Sequence, residues 1–342
     1  VTLSSGTGGA TFNWTVTQSG VTGASNGSGG TINHTLTNAG TTPGTATYTV
    51  TATASGCTGS PITVPVTVNP TPNVTATPAS ATICSGQNTN ISLTSNVVGA
   101  TFSWTATASG ASGQSAGSGA TINQTLTATG SSAGTVTYTV TPSANGCTGT
   151  PINVIITVNP PPNVVANPTS QTLCSGQTTS INLSSAVGGT TFNWTVNQSG
   201  TSGAANGSGA TINQTLSTTG AVSGTATYTI TPSASGCLGS PINVIVTVNP
   251  TPNATATPTS ATICSGQNAN ISLTSNVAGT TFSWTASASG ASGQSAGSGA
   301  TINQTLTATG SSAGTVTYTV TPSANGCTGT PINVIITVNS QP

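Results

Sequence analysis

The chemistry open to this sequence rests on very few side chains. Seven cysteines fall in two series with a common step of 90 residues: Cys84, Cys174 and Cys264, and then Cys57, Cys147, Cys237 and Cys327. Every member of the first series precedes a member of the second by 63 residues. Paired thiols at fixed spacing in a Thr/Ser-rich chain suit an oxidising exterior, and the spacing predicts the bridges Cys84–Cys147, Cys174–Cys237 and Cys264–Cys327. Cys57 is then unpaired, or is completed by a segment not in the sequence. Two other readings stay open: a zinc site, which needs four clustered ligands, and pairs of reduced thiols.

His34 is the only histidine, and one, two and three steps on its place is taken by Gln124, Gln214 and Gln304. A position that accepts a neutral amide reads as a polar strand residue rather than a catalytic or metal-binding one. Asparagine offers the other covalent chemistry. Asn-x-Ser/Thr triplets begin at Asn13, Asn26, Asn33, Asn73, Asn90, Asn123, Asn182, Asn193, Asn197, Asn206, Asn213, Asn253, Asn270 and Asn303, the acceptor pattern for glycosylation. Residues i and i+2 of a strand share a face. Where Trp14, Ile91, Trp194 and Ile271 turn inward, Asn13, Asn90, Asn193 and Asn270 turn outward with their Ser or Thr. The abundance of Asn and Thr would also create such triplets by chance.

What is missing narrows function further. Ordinary soluble chains are about 25% charged, and these 342 residues contain no Lys, Arg, Asp or Glu. General acid–base catalysis loses its main groups, hard-cation sites lose their carboxylates, and nucleic-acid binding loses the cations that neutralise phosphate. The expectation is a non-enzyme without catalytic residues, metal or cofactor, covalent glycans being the one addition. Apolar runs such as Val154-Ile155-Ile156 fall far short of the ~20 residues of a membrane helix.

These side chains must be held by something that repeats. Trp14, Trp104, Trp194 and Trp284 keep the step of 90, as do Tyr48, Tyr138, Tyr228 and Tyr318. Four copies follow, parted at Pro-rich segments after Val68, Val158 and Val248: residues 1–69, 70–159, 160–249 and 250–342. Paired prolines favour a stiff, extended connection, so a semi-rigid rod is expected. Within a copy, apolar and polar residues alternate with period two, as in Phe102-Ser103-Trp104 and Val136-Thr137-Tyr138, and no stretch has a helical period. The economical reading is all-β: tandem seven-strand antiparallel sandwiches with the tryptophans and tyrosines in their cores. Tyr48 and its equivalents suit a tyrosine corner, whose hydroxyl bonds nearby backbone.

The order Thr-Ile-Cys-Ser-Gly-Gln (82–87), Thr-Phe-Ser-Trp-Thr (101–105), Thr-Tyr-Thr-Val-Thr-Pro (137–142), Asn-Gly-Cys (145–147) and Ile-Thr-Val-Asn-Pro (156–160) resembles the PKD-like, immunoglobulin-like repeats of large secreted and surface proteins of Bacteroidota. The resemblance spans essentially the whole chain. It implies an extracellular, non-enzymatic sandwich used in adhesion or surface architecture. Calcium-dependent stiffening, known from related tandem sandwiches, is not implied, because every acidic residue is missing.

Two irregularities bear on assembly. Val1 occupies the place of Ile91, so the first copy lacks its opening strand and first cysteine, through a cut in the chain or because a neighbouring subunit supplies the strand. Copies two and four differ at only six of ninety positions, whereas neighbouring copies differ far more, which makes the unit 180 residues long. Duplication history, protection against swapping between neighbours, and lateral packing at alternate copies each account for that. Charged residues normally keep sheet edges from pairing, and here none exist. The expectation is therefore a structural extracellular protein, part of a surface fibre or stalk that partners itself head to tail and carries sugar. The alternative is an adhesin repeat region that binds surface glycans.

Overall fold

The computed structural model describes residues 1–341. The chain divides into two compact units, residues 1–161 and 162–342, each carrying two of the repeats. The described residues are strands, turns and loops. No helix among them is long and apolar enough to cross a membrane.

The second copy shows how the sequence builds a layer pair. In the strand Gly134–Ala144 every second residue is buried, Val136, Tyr138 and Val140 among them, while the intervening threonines lie nearer solvent. Threonine is β-branched and fits a pleated surface, so it supplies strand propensity without charge. This strand is central in the larger sheet. It pairs antiparallel with Thr101–Ser109 on one side, setting Trp104 opposite Val140, and with Ile152–Asn159 on the other, setting Tyr138 opposite Val154. The facing layer consists of Thr75–Thr77, Ile91–Thr94 and Thr121–Ile122, together with Gln87–Asn88, Thr125–Ala128 and Ala111–Ser112. Ile91, Leu93, Ile122 and Leu126 from this layer close the core over Trp104, Tyr138, Val154 and Ile156. The third and fourth copies repeat the arrangement.

One pairing departs from the antiparallel expectation. Ser80–Cys84 runs parallel to Ile152–Asn159, with Cys84 opposite Asn159. The opening stretch of a copy serves both layers. Thr75–Thr77 pairs antiparallel with Ile91–Thr94, and the chain then crosses to the edge of the larger sheet without reversing.

Glycine has a specific duty beside each tryptophan. Gly117 pairs with Trp104, and a Cβ on it would come within 2.7 Å of the Trp104 ring. Gly27, Gly207 and Gly297 hold the same place beside Trp14, Trp194 and Trp284.

The first copy is thinner. Among the described residues Ile62–Val68 has no parallel neighbour, and Val64, Val66 and Val68 are half-buried where Val154, Ile156 and Val158 are fully buried. A cleft of about 330 Å³ lined by Leu3, Phe12, Val50, Ile62 and Val64 opens there.

Candidate functional site

The cysteines sit at opposite ends of each sandwich, and that decides how they pair. Cys174 closes the strand Ser170–Cys174, whose parallel register sets it opposite Asn249, the last residue of Ile242–Asn249. Its N–H donates to Gln177 Oε1 at 2.9 Å as the chain turns through Gly176. The neighbouring strand Gly224–Ala234 starts at this same end, where Gly224 pairs with Val248. It finishes at the other end, where Ala234 pairs with Cys237 across the turn Ser235-Gly236. Both turn residues have positive φ, 50° and 79°, as a tight two-residue hairpin requires. At about 3.3 Å per residue, the strand separates the two cysteines of one copy by roughly 30 Å. A disulfide needs its Cα atoms within about 7 Å.

The bridges expected inside a copy are therefore corrected. Cys174 bonds to Cys327 of the following copy, with S–S 2.05 Å and Cα–Cα 5.6 Å, across 153 residues of sequence. That bond removes Cys174–Cys237 and Cys264–Cys327 together. Cys147 is free, so Cys84–Cys147 does not form, and Cys264 and Cys57 are free and exposed. Neither Cys84 nor Cys237 is a free thiol. The end of one copy and the start of the next are what meet in a tandem array, so Cys174 and Cys327 pair across the junction of copies three and four.

Polar contacts accompany the bond. Asn249 is buried and its Nδ2 donates to the Asn325 carbonyl at 2.8 Å, on the hairpin turn that carries Cys327. Copies one and two meet in the same way, Asn69 Nδ2 donating to the Asn145 carbonyl at 2.9 Å. There Cys147 sits on its turn as a free thiol.

The tyrosines are held differently from a tyrosine corner. The hydroxyls of Tyr138, Tyr228 and Tyr318 donate to the side-chain Oε1 of Gln124, Gln214 and Gln304 at 2.8–2.9 Å, rather than to backbone. Gln124 Nε2 in turn donates to the Ser115 carbonyl, which also accepts the Trp104 indole N–H at 3.2 Å. In the first copy His34 replaces this glutamine, its Nδ1 lying 2.9 Å from the Tyr48 hydroxyl and its Nε2 3.3 Å from Ser25 Oγ. His34 lies outside the strands, so it is a clasp on a connection and not the strand residue expected. Burial pushes the phenols of Tyr138, Tyr228 and Tyr318 up to about 12 and also raises that of Tyr48. All four tryptophans are buried at 7% exposure, so none of them forms an open stacking platform.

The asparagines of the triplets all reach solvent: Asn13, Asn26, Asn33, Asn73, Asn90, Asn123, Asn182, Asn193, Asn197, Asn206, Asn213, Asn253, Asn270 and Asn303 are exposed. Some also order local backbone. Asn26 Oδ1 accepts from the Val16 N–H and Asn73 Oδ1 from the Asn96 N–H, each at 2.8 Å.

Residues 2–72, 81–162, 171–252 and 261–342 each match the PKD-like domain family. The chain belongs to the PKD-like domain family. Its four PKD-like matches cover nearly all of the sequence. No curated protein matches the chain. Solved structures similar to it include the protocadherin gamma B2 extracellular cadherin domains 3–6, at 14% identity and TM-score 0.30, covering 87% of this chain and 84% of that one. Mouse cadherin-23 EC22–24 is similar at 9% identity and TM-score 0.34, over 79% of this chain and 99% of that one. The sidekick-1 immunoglobulin domains 1–5 follow at 12% identity and TM-score 0.29, over 86% and 66% of the respective chains.

Proposed function

We propose that this chain is a segment of an extracellular fibre or stalk, built of PKD-like sandwiches stapled copy to copy by disulfides and coated with sugar. The observation that carries the reading is the Cys174–Cys327 bond. A Pro-rich linker alone is a semi-rigid spacer that joins successive sandwiches at a single point. A second covalent tie across the junction fixes copy three to copy four, which is what a load-bearing array needs and a string of independent binding modules does not. Disulfides persist outside the reducing cytosol, which supports a secreted or surface location.

Glycan on the exposed asparagines answers the solubility problem of a chain with zero net charge, since near-neutral surfaces tend to associate. The head-to-tail partner of such a segment is another copy of itself. Electron microscopy of native material, with intact mass measured on the same sample, tests the reading. The expected result is filaments whose subunit mass exceeds the sequence mass by attached sugar. A monodisperse, unmodified monomer, with one copy binding specifically on a sugar array, would instead make the chain an adhesin.

A further inference from the structure

Cys264 and Cys57 are two halves of the bond that Cys174 and Cys327 make. Cys264 stands one copy after Cys174, and Cys57 three copies before Cys327. Each half is built as its bonded counterpart is. Cys264 ends the strand Ser260–Cys264 in parallel register with Ile332–Asn339, opposite Asn339 as Cys174 is opposite Asn249. Its N–H donates to Gln267 Oε1 at 3.0 Å, the contact Cys174 makes with Gln177 at 2.9 Å. Cys57 pairs with Ala54 across the turn Ser55-Gly56, whose φ values of 52° and 81° match the 50° and 79° of Asn325-Gly326 before Cys327. Asn339, the counterpart of the buried Asn249, is exposed. The junction donates to a backbone carbonyl, so Ser55 in place of Asn325 keeps the acceptor.

We infer that Cys264 of one chain forms a disulfide with Cys57 of a second copy, repeating the Cys174–Cys327 junction between chains. The inference rests on the fibre reading and deepens it by naming the covalent link. Cys147 is the other free thiol of its series, but the end of copy one already sits on its turn through Asn69 and Asn145. Cys57 is the exposed free thiol of that series. In the step two S–H bonds break and one Sγ–Sγ bond forms. The two electrons and two protons pass to a disulfide oxidant, which leaves as two thiols.

The experiment uses the whole chain with oxidised glutathione as the oxidant, read by non-reducing electrophoresis and peptide mapping. The wild type should give a ladder of covalent multimers that reductant collapses, with Cys264 and Cys57 peptides joined. Cys264→Ser and Cys57→Ser should each remove the ladder, and a mixture of the two variants should give dimers and nothing longer. Cys147→Ser should leave it unchanged. Links through Cys147, a Cys264–Cys264 link, or a chain that stays monomeric with Cys264 open to alkylation would overturn the inference. So would native material in which Cys264 is joined to a peptide absent from this sequence. Native filaments whose Cys264 alkylates freely would overturn the link while leaving the fibre reading standing.

Discussion

Tyr138 donates its hydroxyl to Gln124 Oε1 at 2.9 Å, and the same glutamine is fastened to the Ser115 carbonyl that receives the Trp104 indole. The two largest core side chains of a copy are thus held by one connection lying outside the strands. Gln124→Leu leaves the buried phenol without an acceptor, at a cost of about 1–3 kcal/mol. Urea unfolding should show that loss, and Tyr138→Phe in the same background should recover part of it.

The tryptophan sites give a second pair of expectations. Trp104→Ala should cost about 3–5 kcal/mol, because it empties the middle of the core. Gly117→Ala should cost about 1–3 kcal/mol by the opposite route, its Cβ pressing on the ring. Both are read from thermal unfolding, and an unchanged midpoint for Gly117→Ala would show that the ring has room to move.

Much of this is legible in the amino-acid sequence. The period of the aromatics marked the copies, and strict alternation around Tyr138 and Trp104 marked their inward faces. The cysteine pairing was not legible from spacing alone, because 63 residues says nothing about which end of a sheet a residue reaches. That needs the register: Cys174 beside Asn249, and Cys237 a full strand length away beside Ala234. The Gln-to-His exchange at His34 was visible, but its meaning depended on a contact with Tyr48 fourteen residues on, which no local pattern encodes.

The pH dependence should be one-sided. Acid unfolding is driven mainly by protonation of carboxylates, and the sequence has no Asp or Glu side chains. The buried tyrosines act at the other end. The pKa of Tyr138, Tyr228 and Tyr318 is raised from 10.0 to about 12, so the contribution of these three is fully present below pH 10 and is lost as pH climbs through 12. Each should lose on the order of 2 kcal/mol by pH 12. Circular dichroism across the pH range, with phenolate absorbance followed in parallel, should show unfolding and tyrosine ionisation together in alkali and a stable fold in acid.

The Cys174–Cys327 disulfide joins two copies rather than closing one. Peptide mapping of the native, unreduced protein after blocking free thiols tests it most directly. The expected product is a Cys174 peptide linked to a Cys327 peptide. A Cys174 peptide linked to Cys237 would contradict it, returning the chain to a string of separately closed sandwiches.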